Sequence, residues 1–230
     1  MIGNQNQRLD AIIASVSQIE TLQKIELPAE LAEPKSRLKL LKANHYNWES
    51  KKFRKIFAMR FSTKLPKLQQ INCILYPREN YPLPIFIFFM LITKRKVIAH
   101  LNINCPFDSS EYKNVWVQPL KQRLNKFSEF ECADRYPEWM KKYRNSSTIY
   151  GMFLHDRLDD LSNCCFDYLD CYMNTVRGSE PETNREKLIQ IKKFQEGFIQ
   201  DIRTQDKAQS MIAKMIGAKT ARRIFYEVTT

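Results

Sequence analysis

Residues 85–92, IFIFFMLI, form an unbroken apolar run of eight residues, and no other segment narrows the choice of folds as much. The run is too short to cross a bilayer, which takes about 20 residues, and its Phe and Ile favour extended backbone. Apolar at odd and even positions alike, it fits a central strand buried on both faces. The neighbouring segments alternate instead. Ile71, Cys73 and Leu75 interleave with Asn72, Ile74 and Tyr76. After a Thr-Lys-Arg-Lys turn, Val97 to Asn104 sets Val97, Ala99, Leu101 and Ile103 on one face and His100, Asn102 and Asn104 on the other. Residues 71–106 therefore read as three successive strands with polar side chains set into apolar walls. A strand that turns one His and two Asn the same way faces water or a ligand, so a pocket is expected here.

The flanks read as helix before the sheet and helices after it. Asn4 to Leu22 carries Leu9, Ile12, Ile13, Val16 and Ile19 at helical spacing, and the Pro-containing stretch Leu27 to Pro34 ends that element. Arg37 to Leu41, Tyr46 to Glu49 and Ile56 to Phe61 are expected strands, with Pro66 separating the last from the 71–76 strand. Asp108 to Ser110 can cap a helix over 111–127, in which Pro119 predicts a kink or a late start. Asp134 to Tyr143 is a loop or short helix carrying Trp139, and Thr148 to Leu154 another strand. Three apolar stripes follow: Leu158 to Tyr172, Leu188 to Ile202, and Met211 to Ile216, the last broken at Gly217. An antiparallel sheet with helices on both faces satisfies this order. At 230 residues and 43% hydrophobic, with five Gly and ten scattered Pro, residues 1–230 are expected to fold as one domain.

Several function classes are disfavoured by what the chain lacks. Met1 to Asp10 is polar, so no signal peptide is expected, and no apolar run approaches a spanning length. The six cysteines show no paired CxxC spacing, which argues against a zinc site and for buried free thiols. Five glycines do not cluster into a phosphate-binding loop. His155 beside Asp156 could be joined to Ser146 or Ser147 as a hydrolytic triad, but no nucleophile elbow accompanies them. The net charge of +12 calls for an anionic partner or a crowd of solvated lysines. Zinc-finger spacing, an aromatic ribonucleoprotein signature and a basic zipper are all missing, which disfavours nucleic acid as that partner.

The segment NCILYPRENYPLPIF, Asn72 to Phe86, resembles the strand, turn and strand of the ferredoxin-dependent bilin reductases. Phe53-Arg54-Lys55, the strand Val97 to Pro106, and Asp206-Lys207 ahead of a helix and the aromatic tail Phe225-Tyr226 agree with it. The resemblance runs in register over about 53–106 and 200–230. It implies a three-layer α/β/α sandwich with a central antiparallel sheet. It implies reduction of a linear tetrapyrrole, biliverdin IXα or a dihydrobiliverdin, to a phycobilin. No flavin, haem or metal is bound in that family; reduced 2Fe-2S ferredoxin delivers single electrons to the bilin. Ferredoxins are acidic, which matches a basic chain. Heme oxygenase or a bilin acceptor would be further partners, and the family implies a cytoplasmic monomer with no membrane contact.

A proton donor is the indispensable catalytic group of such a reaction, and a carboxyl lodged against apolar surface has its pKa raised into a useful range. On the resemblance that donor is Asp206, which could equally serve as a helix cap. Lys207 falls on a residue holding a propionate, with Arg203 and Arg54 as further cations for the same purpose. The chain departs from the family at three positions. Phe89 stands where the central strand carries an Asp, Met59 where a Glu is frequent, and Asn72 takes the amide form of a His or Asn position. Asn72 can hydrogen-bond a lactam but cannot serve as a useful acid. His100 is the residue that could compensate by relaying a proton, with Asn102 on the same face as a further substrate contact. With so few acids, a non-catalytic bilin-binding or delivery protein on the same fold stays open.

Overall fold

The structure, a computed structural model, describes residues 5–36, 41–65, 67–130 and 136–230. Among these residues seven strands form one antiparallel sheet in which each strand pairs with its neighbour in sequence. They are β1 (Gln23–Ile25), β2 (Leu41–Glu49), β3 (Phe53–Thr63), β4 (Leu68–Pro77), β5 (Ile85–Ile92), β6 (Val97–Asn104) and β7 (Ile149–Phe153).

The two-residue period of the strands divides the molecule into layers. Ile71, Cys73 and Leu75 of β4, Phe86, Phe88 and Met90 of β5, and Val97, Ala99, Leu101 and Ile103 of β6 share one core. That core is covered by α1 (Gln5–Ser17), α3 (Ser110–Trp116), α4 (Gln118–Leu124) and α5 (Leu158–Arg177). At its centre the Tyr172 ring lies 5.2 Å from Phe86 and 5.7 Å from Trp116, and its buried hydroxyl donates to the Pro84 carbonyl at 2.8 Å. The alternate residues, Phe57, Met59 and Phe61 of β3, Ile74 and Tyr76 of β4, and Ile85 and Ile87 of β5, form a second core. Over it lie α6 (Arg185–Gln205), α7 (Ala208–Ile216), α8 (Ala218–Arg223) and a final wide turn, Ile224–Thr229. The three-layer sandwich expected from the element order is the one observed. β5 is apolar on both faces because each face meets a different helical layer.

Local differences from the sequence reading have local causes. The first helix ends at Ser17, where the Ser17 hydroxyl turns back onto the Ala14 carbonyl at 2.8 Å, and the chain then pairs as β1 with Asn47 to Glu49. A four-residue helix, α2 (Ala29–Ala32), sits in the Leu27 to Pro34 stretch. Tyr46 to Glu49 is the end of a longer strand from Leu41; residues 37–40 of the first expected strand, and Pro66, lie outside the described residues. Its apolar pattern is broken by Asn47, whose buried side chain is used on the Val228 carbonyl at 3.0 Å. The helix expected over 111–127 is divided at Val117, with Pro119 in the first turn of α4, and Ser109 caps α3 by accepting from the Tyr112 N–H. Gly217, at φ +92°, makes the reversal between α7 and α8 that a side chain would strain.

One irregularity bears on charge. Phe53 pairs with Pro77 and Lys55 with Tyr76, so Arg54 is an extra residue in β3, a bulge. The bulge turns two consecutive cations toward the helix layer: Arg54 Nε reaches Gln195 of α6 at 3.4 Å, and Lys55 Nζ reaches the Glu227 carbonyl at 3.3 Å.

Candidate functional site

The register of the sheet aligns His45, Met59, Asn72, Phe89, His100 and Tyr150 in one row across β2 to β7. Five of them, Met59 to Tyr150, floor a cavity of about 740 Å³ between the sheet and the α6–α7 layer. Four inter-strand steps of roughly 4.8 Å make that floor about 19 Å long. The volume is in the range of pockets that enclose a small organic ligand. Phe57, Ile74 and Ile87 flank the floor, and Phe198, Ile202, Ile212, Ile224 and Phe225 form much of the roof. The walls are chiefly apolar and aromatic, so a guest must present largely apolar surface to them.

One wall was not foreseen by periodicity. Pro137 and the start of a short 3-10 turn, Glu138–Tyr143, which includes Trp139, close one side of the cavity. It is pinned from three directions. The Tyr143 carbonyl accepts from Asn102 at 2.9 Å, its hydroxyl donates to the Asp201 carboxylate of α6, and Lys142 Nζ lies 2.6 Å from the same carboxylate. The Tyr143 ring also packs edge-on against Phe198 at 5.1 Å.

Asp206 lines the cavity where α6 ends and α7 begins. Its Oδ1 accepts from the Ala208 N–H at 2.8 Å, so the side chain does cap the following turn. Burial pushes its carboxyl above the ordinary range, and the Ala208 hydrogen bond opposes that shift without cancelling it. Capping and placement in the cavity thus coexist in one residue. Lys207 is exposed and also lines the cavity, an ammonium at the mouth of an apolar space.

Asn72 stands on the floor between Met59 and Phe89, and its Oδ1 is buried with no hydrogen-bond partner among the described residues. A buried acceptor left open is costly unless a guest supplies an N–H. Phe89 is its partner on β5 and His100 the partner of Phe89 on β6, so the apolar ring separates the two polar groups. The His100 Nε2 lies 3.0 Å from the Tyr136 hydroxyl, and its ring meets the edges of Tyr136 and Tyr150 at 5.5 and 5.8 Å. Burial drives the His100 imidazole down to about 3, so it is neutral at physiological pH.

Three of the expected binding residues, Asn102, Arg203 and Arg54, are placed elsewhere, Arg54 against Gln195 of α6. Asn102 is fully buried beyond the end of the cavity, and its amide is saturated within the protein. Nδ2 donates to Asn104 at 2.7 Å and to the Tyr143 carbonyl, while Oδ1 accepts from Thr148 at 2.8 Å and Asn145 at 3.2 Å. Arg203 donates to the Thr230 hydroxyl at 2.8 Å and the Tyr226 carbonyl at 3.1 Å and covers the Tyr226 ring, holding the C-terminal turn. None of the three lines the cavity. Gln70 and Tyr150 do line it. Gln70 was legible, being two residues before Asn72 on the same face. Tyr136 and Trp139 sit in a segment without periodicity and carried no such signal.

Among the described residues no group of three His, Cys, Asp or Glu is close enough to hold a metal ion, and no helix is long and apolar enough to cross a membrane. Cys73, Cys164 and Cys165 are buried free thiols, Cys105 and Cys171 are half-buried and free, and Cys132 lies outside the described residues.

Comparison with known proteins gives a consistent set. A family model for ferredoxin-dependent bilin reductase matches residues 9–228. The 15,16-dihydrobiliverdin:ferredoxin oxidoreductase of Nostoc punctiforme is 25% identical over 164 residues, covering 69% of this chain and 66%, just under two thirds, of that protein. The phycocyanobilin:ferredoxin oxidoreductase of Trichodesmium erythraeum is 24% identical over 194 residues, covering 83% of this chain and 78% of its own. Among solved structures, phytochromobilin synthase from tomato, crystallised with biliverdin, superposes with a TM-score of 0.89 at 15% identity, covering 97% of this chain and 82% of that one.

Proposed function

Since this chain belongs to the ferredoxin-dependent bilin reductase family, we propose that it reduces a linear tetrapyrrole, biliverdin IXα or a dihydrobiliverdin, with Asp206 as the proton donor. The observation that carries this reading is the cavity itself: a long apolar floor built in register from five strands, with a burial-raised carboxyl at one edge and an open amide acceptor set into the floor. Tetrapyrrole rings fill the apolar walls, Asn72 Oδ1 accepts a pyrrole N–H, and Lys207 at the mouth attracts a propionate. Phe89 and Met59 pack against the ring faces.

Reducing one carbon–carbon double bond takes two electrons and two protons. On this reading reduced 2Fe-2S ferredoxin supplies the electrons one at a time, directly to the bound bilin. Each added electron makes the bilin more basic, and Asp206, whose protonated form is favoured by burial, gives up a proton. Being half-buried at the cavity edge, it recovers one from solvent. The second proton comes from the other end of the floor. Neutral His100 gives its N–H proton to the bilin while its other ring nitrogen, Nε2, takes the Tyr136 hydroxyl proton, and solvent restores Tyr136. On this reading Tyr136→Phe lowers kcat about 10-fold, because water replaces a placed donor. A one-electron bilin radical then accumulates in single-turnover electron paramagnetic resonance. An unchanged rate with no added radical signal would remove Tyr136 from the proton path.

The deciding experiment is anaerobic. Mixing the purified chain with biliverdin is expected to shift and sharpen the bilin absorption, and adding reduced ferredoxin to convert that spectrum to a product's. A bound spectrum that stays constant with biliverdin and with 15,16-dihydrobiliverdin would favour the second reading, a carrier, which the non-ionisable Phe89 and Met59 recommend. No change on mixing with either bilin would remove both. The +12 charge predicts that ferredoxin association slows as ionic strength rises.

A further inference from the structure

Arg54 Nη2, the Tyr76 hydroxyl and Gln195 Nε2 are buried, and none has a hydrogen-bond partner among the described residues. They arrive from three elements, the bulge of β3, the end of β4 and the middle of α6. Arg54 Nε lies 3.4 Å from Gln195 Oε1, and its guanidinium carbon lies 5.0 Å from the Tyr76 ring centroid, so Arg54 joins the other two between sheet and helix. Tyr76 is 0% and Gln195 2% exposed, which leaves bulk water little access to either side chain.

All three groups donate, and in native interiors such donors find acceptors. The surroundings are cationic. Burial, followed by repulsion from Arg54 and Arg203, draws the Lys55 ammonium down to about 8. Glu79 offers Arg54 some attraction, but its carboxylate also lies 4.0 Å from Lys192. A single water could accept from two of the donors and donate to the tyrosine. An anion accepts from all three and offsets the local charge as well.

We propose that Arg54, Tyr76 and Gln195 bind one small monovalent anion, of the size of chloride, beneath α6. The site is separate from the cavity and does not depend on the reductase reading. It would fasten the part of α6 just ahead of Phe198, whose ring packs 6.4 Å from Tyr76 and roofs the cavity.

Bromide is the probe. Crystals of the full chain soaked in bromide are expected to show an anomalous peak within about 3.5 Å of the three donors. In solution, exchanging gluconate for chloride at constant ionic strength should raise the unfolding midpoint by about 4 °C once chloride exceeds its Kd tenfold. Tyr76→Phe, which removes one oxygen and leaves the packing, and Gln195→Leu should each abolish that shift. Should Gln195→Leu fail to fold, Tyr76→Phe alone carries the comparison. Ordinary water density with no bromine signal, together with a midpoint indifferent to chloride, would overturn the proposal.

Discussion

Replacing Asp206 by Asn is expected to lower bilin turnover by about 100-fold or more, the usual contribution of a placed general acid, while bilin affinity changes only a few-fold. The substitution is informative because Asn caps a helix about as well as Asp does. The bond from the Ala208 N–H to the side-chain oxygen can survive, and α7 should keep its start. What is lost is the ionisable proton. Asp206→Ala removes both roles and should cost about 1 kcal/mol of stability in addition. The pH dependence gives an independent readout. The wild-type carboxyl is raised by burial, so its protonated fraction, and with it the protonation rate, falls as pH climbs through that raised value. The alkaline limb should vanish in Asp206→Asn. The same shift has a sign for stability: the folded state holds this proton over a pH window where the unfolded state has released it. Stability therefore declines as pH rises through that window, and the Asn variant should lose that slope. Stopped-flow absorption of the bound bilin under single turnover, across pH, measures the rate and its alkaline limb, and unfolding midpoints across pH measure the stability slope; wild-type turnover in Asp206→Asn would rule the carboxyl out as donor.

Asn102→Leu should lower stability by about 3–5 kcal/mol without a specific effect on bilin affinity. The leucine is close in size, but it leaves the Tyr143 carbonyl, the Thr148 hydroxyl and the amides of Asn104 and Asn145 short of partners in the interior. Each stranded polar group costs about 1–3 kcal/mol, and relaxation recovers part of the sum. For a chain of this size the midpoint should drop by roughly 10 °C. Calorimetry paired with a bilin titration well below the midpoint separates the possibilities. A normal midpoint with greatly weakened binding would mean that Asn102 faces ligand after all.

Asn102 also shows where reading a sequence stops. Alternation in 97–104 places His100, Asn102 and Asn104 on one face, and the structure agrees. Alternation cannot say how far along the strand the cavity extends. One two-residue step is about 6.8 Å; across that distance the environment changes from a cavity floor at His100 to the turn carrying Asn145 and Thr148. Arg203 fails for a related reason. A cation near a proposed pocket reads as an anion ligand until the chain's own carbonyls, here Tyr226, claim it. The sandwich, the break near Pro119 and the long α5 and α6 were legible because period and punctuation are local properties. The Glu138–Tyr143 wall and Tyr136 were not, since contacts that span the sequence decide where such a segment lies. Likewise β1 has three residues and exists because Asn47 to Glu49 offers it an edge.

The row across the sheet has a consequence for how such a protein can diverge. On β5, Phe86, Phe88 and Met90 belong to the core beneath α5, whereas Ile87 and Phe89 face the cavity. Folding and chemistry are thus inscribed in alternate letters of the same short strands. A change at Phe89, Asn72 or Met59 alters what a guest touches and leaves the α5-side core unaltered. Side chains along the floor can therefore be exchanged one at a time, changing what a guest meets, without disturbing the core beneath α5.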